Sequence, residues 1–203
     1  MSPFIIFIGI VSLLVLIYLI YKLLKYLDEG IVRVEEFIVK ANQPQGLSMM
    51  DDEGKDLITF SQPNQGFSFS TLIWFYIKDY NYRYGMRKVI MRKGGFIISL
   101  MEYSNSLEIA IPIYDSSTSV KLKYENLPLQ KWICLVVLLE NRHIDLWMNG
   151  ELYQSKHLEN FPKIFENKVT TFVPGGGFSG FLGTILHFEY PLPKSTIISY
   201  FKL

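Results

Sequence analysis

The chain has 203 residues, 49% of them hydrophobic, and its 20 Lys and Arg against 19 Asp and Glu leave a formal net charge of +1. Such a balance argues against wholesale binding to nucleic acid or anionic surfaces. A single cysteine, Cys134, excludes an intrachain disulfide framework.

The first predicted element is apolar throughout. Phe4 to Tyr21 is an uncharged run of eighteen residues closed by Lys22 and Lys25, and fourteen of the eighteen are Leu, Ile, Val or Phe. At a helical rise of about 1.5 Å per residue, residues 4–24 span roughly 30 Å, the thickness of a bilayer's hydrocarbon core. Each apolar residue favours insertion by ~0.3–0.6 kcal/mol, very roughly 4–8 kcal/mol in sum. The run is longer than the core of a cleavable signal peptide and lacks both a basic start and a small-residue cleavage site. Apolar residues around its whole circumference disfavour a buried globular helix. The sequence therefore predicts an uncleaved transmembrane anchor over residues 1–27, with the bilayer around residues 4–24.

Lys22, Lys25 and Arg33 follow the span and only Met1, Ser2 and Pro3 precede it, which turns the C-terminal part toward the cytosol. None of the nine Asn residues starts an Asn-x-Ser/Thr sequon and Cys134 has no disulfide partner, in keeping with a reducing, unglycosylated compartment. Tyr18, Tyr21 and Tyr26 fall near headgroup level.

Residues 28–65 read as a partly ordered connector. Ile31–Val34 and Glu36–Val39 are strand pieces, and Asn42–Gly46 and Asp51–Gly54 are turns. From Phe67 the period becomes two: Phe67, Phe69, Thr71, Ile73, Phe75 and Ile77 alternate with Ser68, Ser70, Leu72, Trp74 and Tyr76. The second half of this strand is apolar on both faces, which places it centrally in a sheet. Further strands are predicted at Lys88–Met91, Phe96–Met101, Leu107–Ile113, Ser119–Tyr124, Ile133–Leu139, His143–Met148, Glu151–Ser155, Thr170–Val173 and Thr184–Tyr190. Only Ser195–Lys202 reads as a short helix. Residues 66–203 thus predict an all-β antiparallel sandwich. Asn149-Gly150 is the strongest hairpin signal, since both residues tolerate the positive φ of a type I′ turn.

The run Phe67-Ser-Phe-Ser to Trp74-Phe75-Tyr76-Ile77, the segment Asp79 to Gly85 (Asp-Tyr-Asn-Tyr-Arg-Tyr-Gly) and Lys88-Val89-Ile90 carry a resemblance. Pro128 to Trp132, Ile144 to Leu152 and Gly176-Gly177-Phe178-Ser179-Gly180 continue it in order. Over roughly residues 67–190 the chain resembles the laminin-G-like, concanavalin A-like jelly-roll proteins of large algal DNA viruses such as chloroviruses. Phe181 stands where that pattern often has Trp. The resemblance implies a non-enzymatic, membrane-anchored virion component, a minor capsid protein tying the inner viral membrane to other capsid or virion proteins, its domain on the capsid-facing side. A cytosol-facing domain on an internal membrane, the orientation predicted from the basic flank, suits that role. Two other readings stay open: a membrane-anchored lectin-like module binding glycan, and an accessory subunit of an organellar membrane complex.

No catalytic pattern emerges. The Glu-x-Asp-x-x-Glu motif of sandwich glucanases is absent, and Asp145 has no second acid two residues away, as a retaining glycosidase strand would need. Asp51, Asp52, Glu53 and Asp56 around Gly54 miss the rhythm of a calcium loop, the one metal site such sandwiches suggest, and read as a solvated turn. His143, His157 and His187 have no ligand spacing. Cys134, in an apolar strand, reads as a buried, inert thiol, and no cofactor is expected. Gly175 to Gly180 satisfies Gly-x-Gly-x-x-Gly, yet Pro174 precedes it and a strand follows, so it predicts a tight loop, with Gly176, Gly177 and Gly180 giving positive φ or close approach.

The most prominent functional patch joins Tyr80, Tyr82, Arg83, Tyr84, Arg87 and Lys88 to Arg92 and Lys93: five basic residues without an acid, interleaved with tyrosines. Tyr and Arg are the residue types of interface hot spots, which makes a protein partner the first functional reading and nucleic acid or lipid headgroups a lesser one. Tyrosines that simply cover the core edge are the structural alternative.

Overall fold

The computed structural model describes residues 12–22, 31–34, 39–41, 47–48, 68–163 and 170–202. Two compact units result, Met1–Ile31 and Val32–Leu203. In the first, residues 12–22 form helix α1, on which every residue from Leu13 to Tyr21 is roughly half exposed, whichever way it points. Eleven residues span roughly 16 Å, and among the described residues no helix is long and apolar enough to cross a membrane. The rest of the predicted span, residues 4–11 and 23–24, lies outside the described residues, as do Lys25 and Tyr26.

The described strands are β1 (Ile31–Val34), β2 (Val39–Lys40), β3 (Leu47–Ser48), β4 (Ser68–Asp79), β5 (Lys88–Lys93), β6 (Phe96–Leu100), β7 (Leu107–Ile111), β8 (Val120–Tyr124), β9 (Trp132–Glu140), β10 (His143–Met148), β11 (Glu151–His157), β12 (Thr171–Phe172) and β13 (Ser179–Phe188), followed by helix α2 (Lys194–Lys202); all but Ile31 fall in the second unit. One sheet runs β1-β13-β4-β9-β10-β11, with β2 also on β13; the other runs β3-β12-β5-β6-β7-β8. Every pairing whose register is described is antiparallel. The two sheets enclose one apolar core, so the predicted all-β sandwich is the observed fold.

Strand β4 shows why. Phe69, Ile73, Phe75 and Ile77 enter the core between the sheets, while Leu72, Trp74 and Tyr76 point to the opposite face. That second face is covered as well. Phe201 of α2 stacks on Trp74 with ring centroids 6.2 Å apart and planes 8° from parallel, and Tyr200 meets Phe188 at 5.9 Å. Ser70 Oγ donates to the Tyr190 carbonyl at 3.0 Å and accepts from Leu192 N at 2.8 Å, pinning the segment that leads into α2. A strand apolar on both sides is therefore buried on both sides. Cys134 lies on the face that α2 covers, and burial pushes its thiol up to about 12.

The Asn149-Gly150 hairpin forms as predicted, with φ of 52° and 81°, and Asn149 Oδ1 accepts from Cys134 N at 2.9 Å. The glycine segment divides. Pro174–Gly176 makes one 3-10 turn, whereas Ser179 and Gly180 already belong to β13, which starts five residues before the predicted Thr184. The reason is close approach: a side chain on Gly180 would strike the Tyr76 carbonyl, and one on Gly177, at φ 40°, would strike the Ala41 carbonyl and Val173. Strand β3 has no counterpart in the sequence reading. Val39 opens β2, but residues 36–38 and the predicted turns at Asn42–Gly46 and Asp51–Gly54 fall in segments that are wholly or mainly outside the described residues.

Gly177→Ala is expected to destabilise the sandwich by ~1–3 kcal/mol or more, combining left-handed backbone strain with the clash. Chemical denaturation of the variant and of Gly175→Ala, which has open space around it, checks this. The Gly177 variant should lose clearly more.

Candidate functional site

Antiparallel pairing of β5 with β6 and of β6 with β7 brings two connections to the same end of the sandwich. They are the β4–β5 loop, residues 80–87, and the β6–β7 loop, residues 101–106. Gly85 N donates to the Glu102 carbonyl at 3.1 Å and joins them. Between them opens a cleft of about 200 Å³ lined by Tyr80, Asn81, Tyr84, Lys88, Glu102, Tyr103, Ser104 and Asn105.

The predicted patch is not one surface. Arg83, with φ 51°, sends Nη1 to the carbonyls of Gly175 and Gly177, the latter at 3.5 Å, and Tyr82 donates its hydroxyl to Gly176 at 3.1 Å. Three successive glycine carbonyls thus take their donors from the β4–β5 loop, and Tyr82 and Arg83 act as a clamp on the turn that precedes β13. Arg87 is paired too. Its Nε meets Glu102 at 2.8 Å and its Nη1 meets Glu108 at 2.6 Å, while Lys121 Nζ reaches the same Glu108 oxygen at 3.3 Å. The hydrogen bond to Glu102 raises the Arg87 pKa and, from the other side, lowers that of Glu102. A segment without acids in sequence therefore meets its acids in space, from β7 and the β6–β7 loop.

Arg92 and Lys93 lie toward the far end of β5, roughly 13–16 Å along the strand from Lys88, and do not join the cleft. Arg92 is exposed; Lys93 is 1% exposed, its ammonium 3.5 Å from Thr170 Oγ1.

Lys88, by contrast, is only 1% exposed and still lines the cleft. Burial, and secondarily the nearby Arg83, lowers its pKa against the opposing pull of Glu102 and Asp79. Tyr80 is half-buried, donates to the Leu127 carbonyl at 3.3 Å, and has its phenol pKa raised by burial. Tyr84 and Tyr103 are 65% and 72% exposed and meet edge to face at 5.6 Å. Asn81, Ser104 and Asn105 supply amide and hydroxyl groups around them. The arrangement offers aromatic rings, neutral hydrogen-bonding groups, one buried cation and the Glu102 carboxylate, which Arg87 already holds. It is suited to recognition.

Glu102, Tyr103, Ser104 and Asn105 were not singled out by sequence. Their signal is indirect: once β5, β6 and β7 are assigned as consecutive hairpins, the loop after β6 must lie beside the start of β5.

Other candidates fall elsewhere. Asp145 is half-buried on β10, and Leu138 and Ser155 are its cross-strand partners. His143 and His157 pair across β10 and β11 with ring centroids 5.6 Å apart, both exposed, while the buried His187 Nδ1 lies 2.9 Å from Thr71 Oγ1. Asp51, Asp52, Glu53 and Asp56 lie outside the described residues, among which no group of three or more potential metal ligands occurs.

No protein-family model matches the chain, and no curated protein matches it. Solved structures do. The binding domain of botulinum neurotoxin DC in complex with rat synaptotagmin II aligns at 15% identity and TM-score 0.57, over 70% of this chain and 38% of that one. The receptor binding domain of the botulinum neurotoxin C/D mosaic serotype gives 14% and 0.57, over 66% and 36%. The neurotoxin DC binding domain in complex with SialylT gives 15% and 0.52, over 66% and 35%. The chain spans little more than a third of those chains, and identity this low shows shared fold alone. The β-sandwich fold is shared with part of these toxin binding domains.

Arg87→Ala is expected to cost ~1–3 kcal/mol, because Glu108, 5% exposed, keeps only the solvent-facing Lys121. Glu102, its folded pKa depressed, contributes stability that is present above its unfolded pKa and lost as pH falls through the folded one. Unfolding midpoints measured from pH 7 downward should therefore converge for wild type and Arg87→Ala in acid. A constant gap would contradict the pairing.

Proposed function

We propose that the protein is a non-enzymatic binding module held at a membrane by its N-terminal apolar segment. In the setting that the sequence resemblance implies, it is a minor virion protein tying an inner membrane to shell proteins through the sandwich. One observation carries the reading: α1 exposes Leu, Ile, Val and Tyr around its entire circumference, within an uncharged run of eighteen residues. Water does not tolerate such a surface, and a bilayer does. The basic residues that follow support a sandwich on the cytosolic, shell-facing side.

A second reading is favoured by the cleft. Exposed tyrosines beside amide and hydroxyl groups suit a glycan, and a structural neighbour's name records SialylT while another's records synaptotagmin II, a protein. Membrane tethering and glycan recognition are compatible in one chain.

Replacing Leu13 and Ile17 with Arg adds an insertion cost of very roughly 5–7 kcal/mol, comparable to the whole estimated gain of the run. Flotation with liposomes followed by alkaline extraction is expected to retain the wild type and release the double variant. Equal retention would contradict the anchor. Chemical cross-linking in membrane-containing particles should join the sandwich to a shell protein, and its absence from purified particles would remove the virion assignment.

A further inference from the structure

We propose that the tyrosine cleft binds an acidic saccharide, the Lys88 ammonium facing its carboxylate or sulfate and the rings of Tyr84 and Tyr103 lying against the sugar. The inference rests on the glycan reading above and names the ligand class. It starts from Lys88. The side chain is 99% buried and lines the cleft, and among the described residues no acceptor or carboxylate pairs with its ammonium. Nearby charges are already committed: Glu102 to Arg87, Asp79 Oδ1 to the amide of Asn81 at 2.9 Å, and Arg83 to the glycine carbonyls.

A buried, unpaired cation is costly, and an anion delivered from outside recovers the most from it. Because the Lys88 pKa is lowered in the folded state, its charged form opposes folding at neutral pH, and that cost fades as pH rises toward the ordinary lysine range. A methionine would fill similar volume.

The walls decide what carries the anion. Tyr84 and Tyr103 are exposed, line the opening and meet edge to face, Asn81, Ser104 and Asn105 add groups that match sugar hydroxyls, and the Glu102 carboxylate beside them is already neutralised by Arg87. A bare phosphate or sulfate would use Lys88 and leave these walls idle.

The test is calorimetric titration of the full chain in nanodiscs with a hyaluronan tetrasaccharide, which carries glucuronate, and with its carboxyl-reduced neutral counterpart. The acidic sugar is expected to bind at least roughly tenfold more tightly than the neutral one. Lys88→Met should lose that preference while unfolding at a higher temperature than wild type, a combination that a merely structural lysine would not give. Tyr84→Ala with Tyr103→Ala should weaken both sugars. Equal binding of the two sugars would overturn the inference and leave the glycan reading standing. No binding of either would overturn both. Undiminished preference in Lys88→Met would overturn the role of Lys88.

Discussion

The loop end of the sandwich depends on a shortage of hydrogen-bond donors. Gly175, Gly176 and Gly177 belong to no described strand pairing, so their carbonyls need donors from elsewhere, and Val173, a β-branched residue at φ 44°, is held in the left-handed region just before the turn. Tyr82 and Arg83 supply the missing donors to Gly175, Gly176 and Gly177. In doing so they fix the β4–β5 loop, and with it Tyr80, Asn81 and Tyr84 on one wall of the cleft. The same turn delivers the chain to Gly180, whose lack of a side chain lets β13 approach the Tyr76 carbonyl and pair with β4. One cluster of contacts therefore sets both the central sheet and the candidate site.

Charge at this end obeys a second economy. Arg87, Glu102, Glu108 and Lys121 neutralise one another in a chain of contacts no longer than 3.3 Å. A partly buried network of this kind holds its geometry well and adds modestly to stability. Lys88 sits beside it and outside it. Among the described residues its ammonium has no hydrogen-bond or ion-pair partner, and such local inconsistencies are where function is to be looked for.

Much of the fold was legible because β4 and β10 alternate, because β9 is a short continuous apolar run of the kind a strand buried on both faces shows, and because Asn149-Gly150 allows few turns other than the one it makes. The glycine segment was legible in kind, and its boundary moved because close backbone approach, visible only in three dimensions, extends β13 to Ser179. The patch was legible as residues and misread as a surface. Proximity in sequence joined Arg92 and Lys93 to Arg83 and Arg87, yet a strand carries them away from one another, and acids invisible in the local sequence close on Arg87. A two-residue strand such as β3 carries no periodicity to read. Helix α2 was legible, but its place over Trp74 and Phe188 was not, since helical spacing says which face is apolar and not what that face covers.

The proposed role joins two unequal parts: an apolar segment whose natural solvent is lipid, and a sandwich whose open end presents tyrosines around a buried ammonium. The central claim about that end is that Lys88 is charged, largely buried and without a hydrogen-bond or ion-pair partner among the described residues. Carbon-detected NMR titration of the lysine Cε signals in the full chain, assigned by comparison with Lys88→Met, measures this directly. The account predicts that Lys88 titrates below the ordinary lysine value of 10.5. Titration at or above that value would mean that an internal carboxylate holds the ammonium, and would contradict the account.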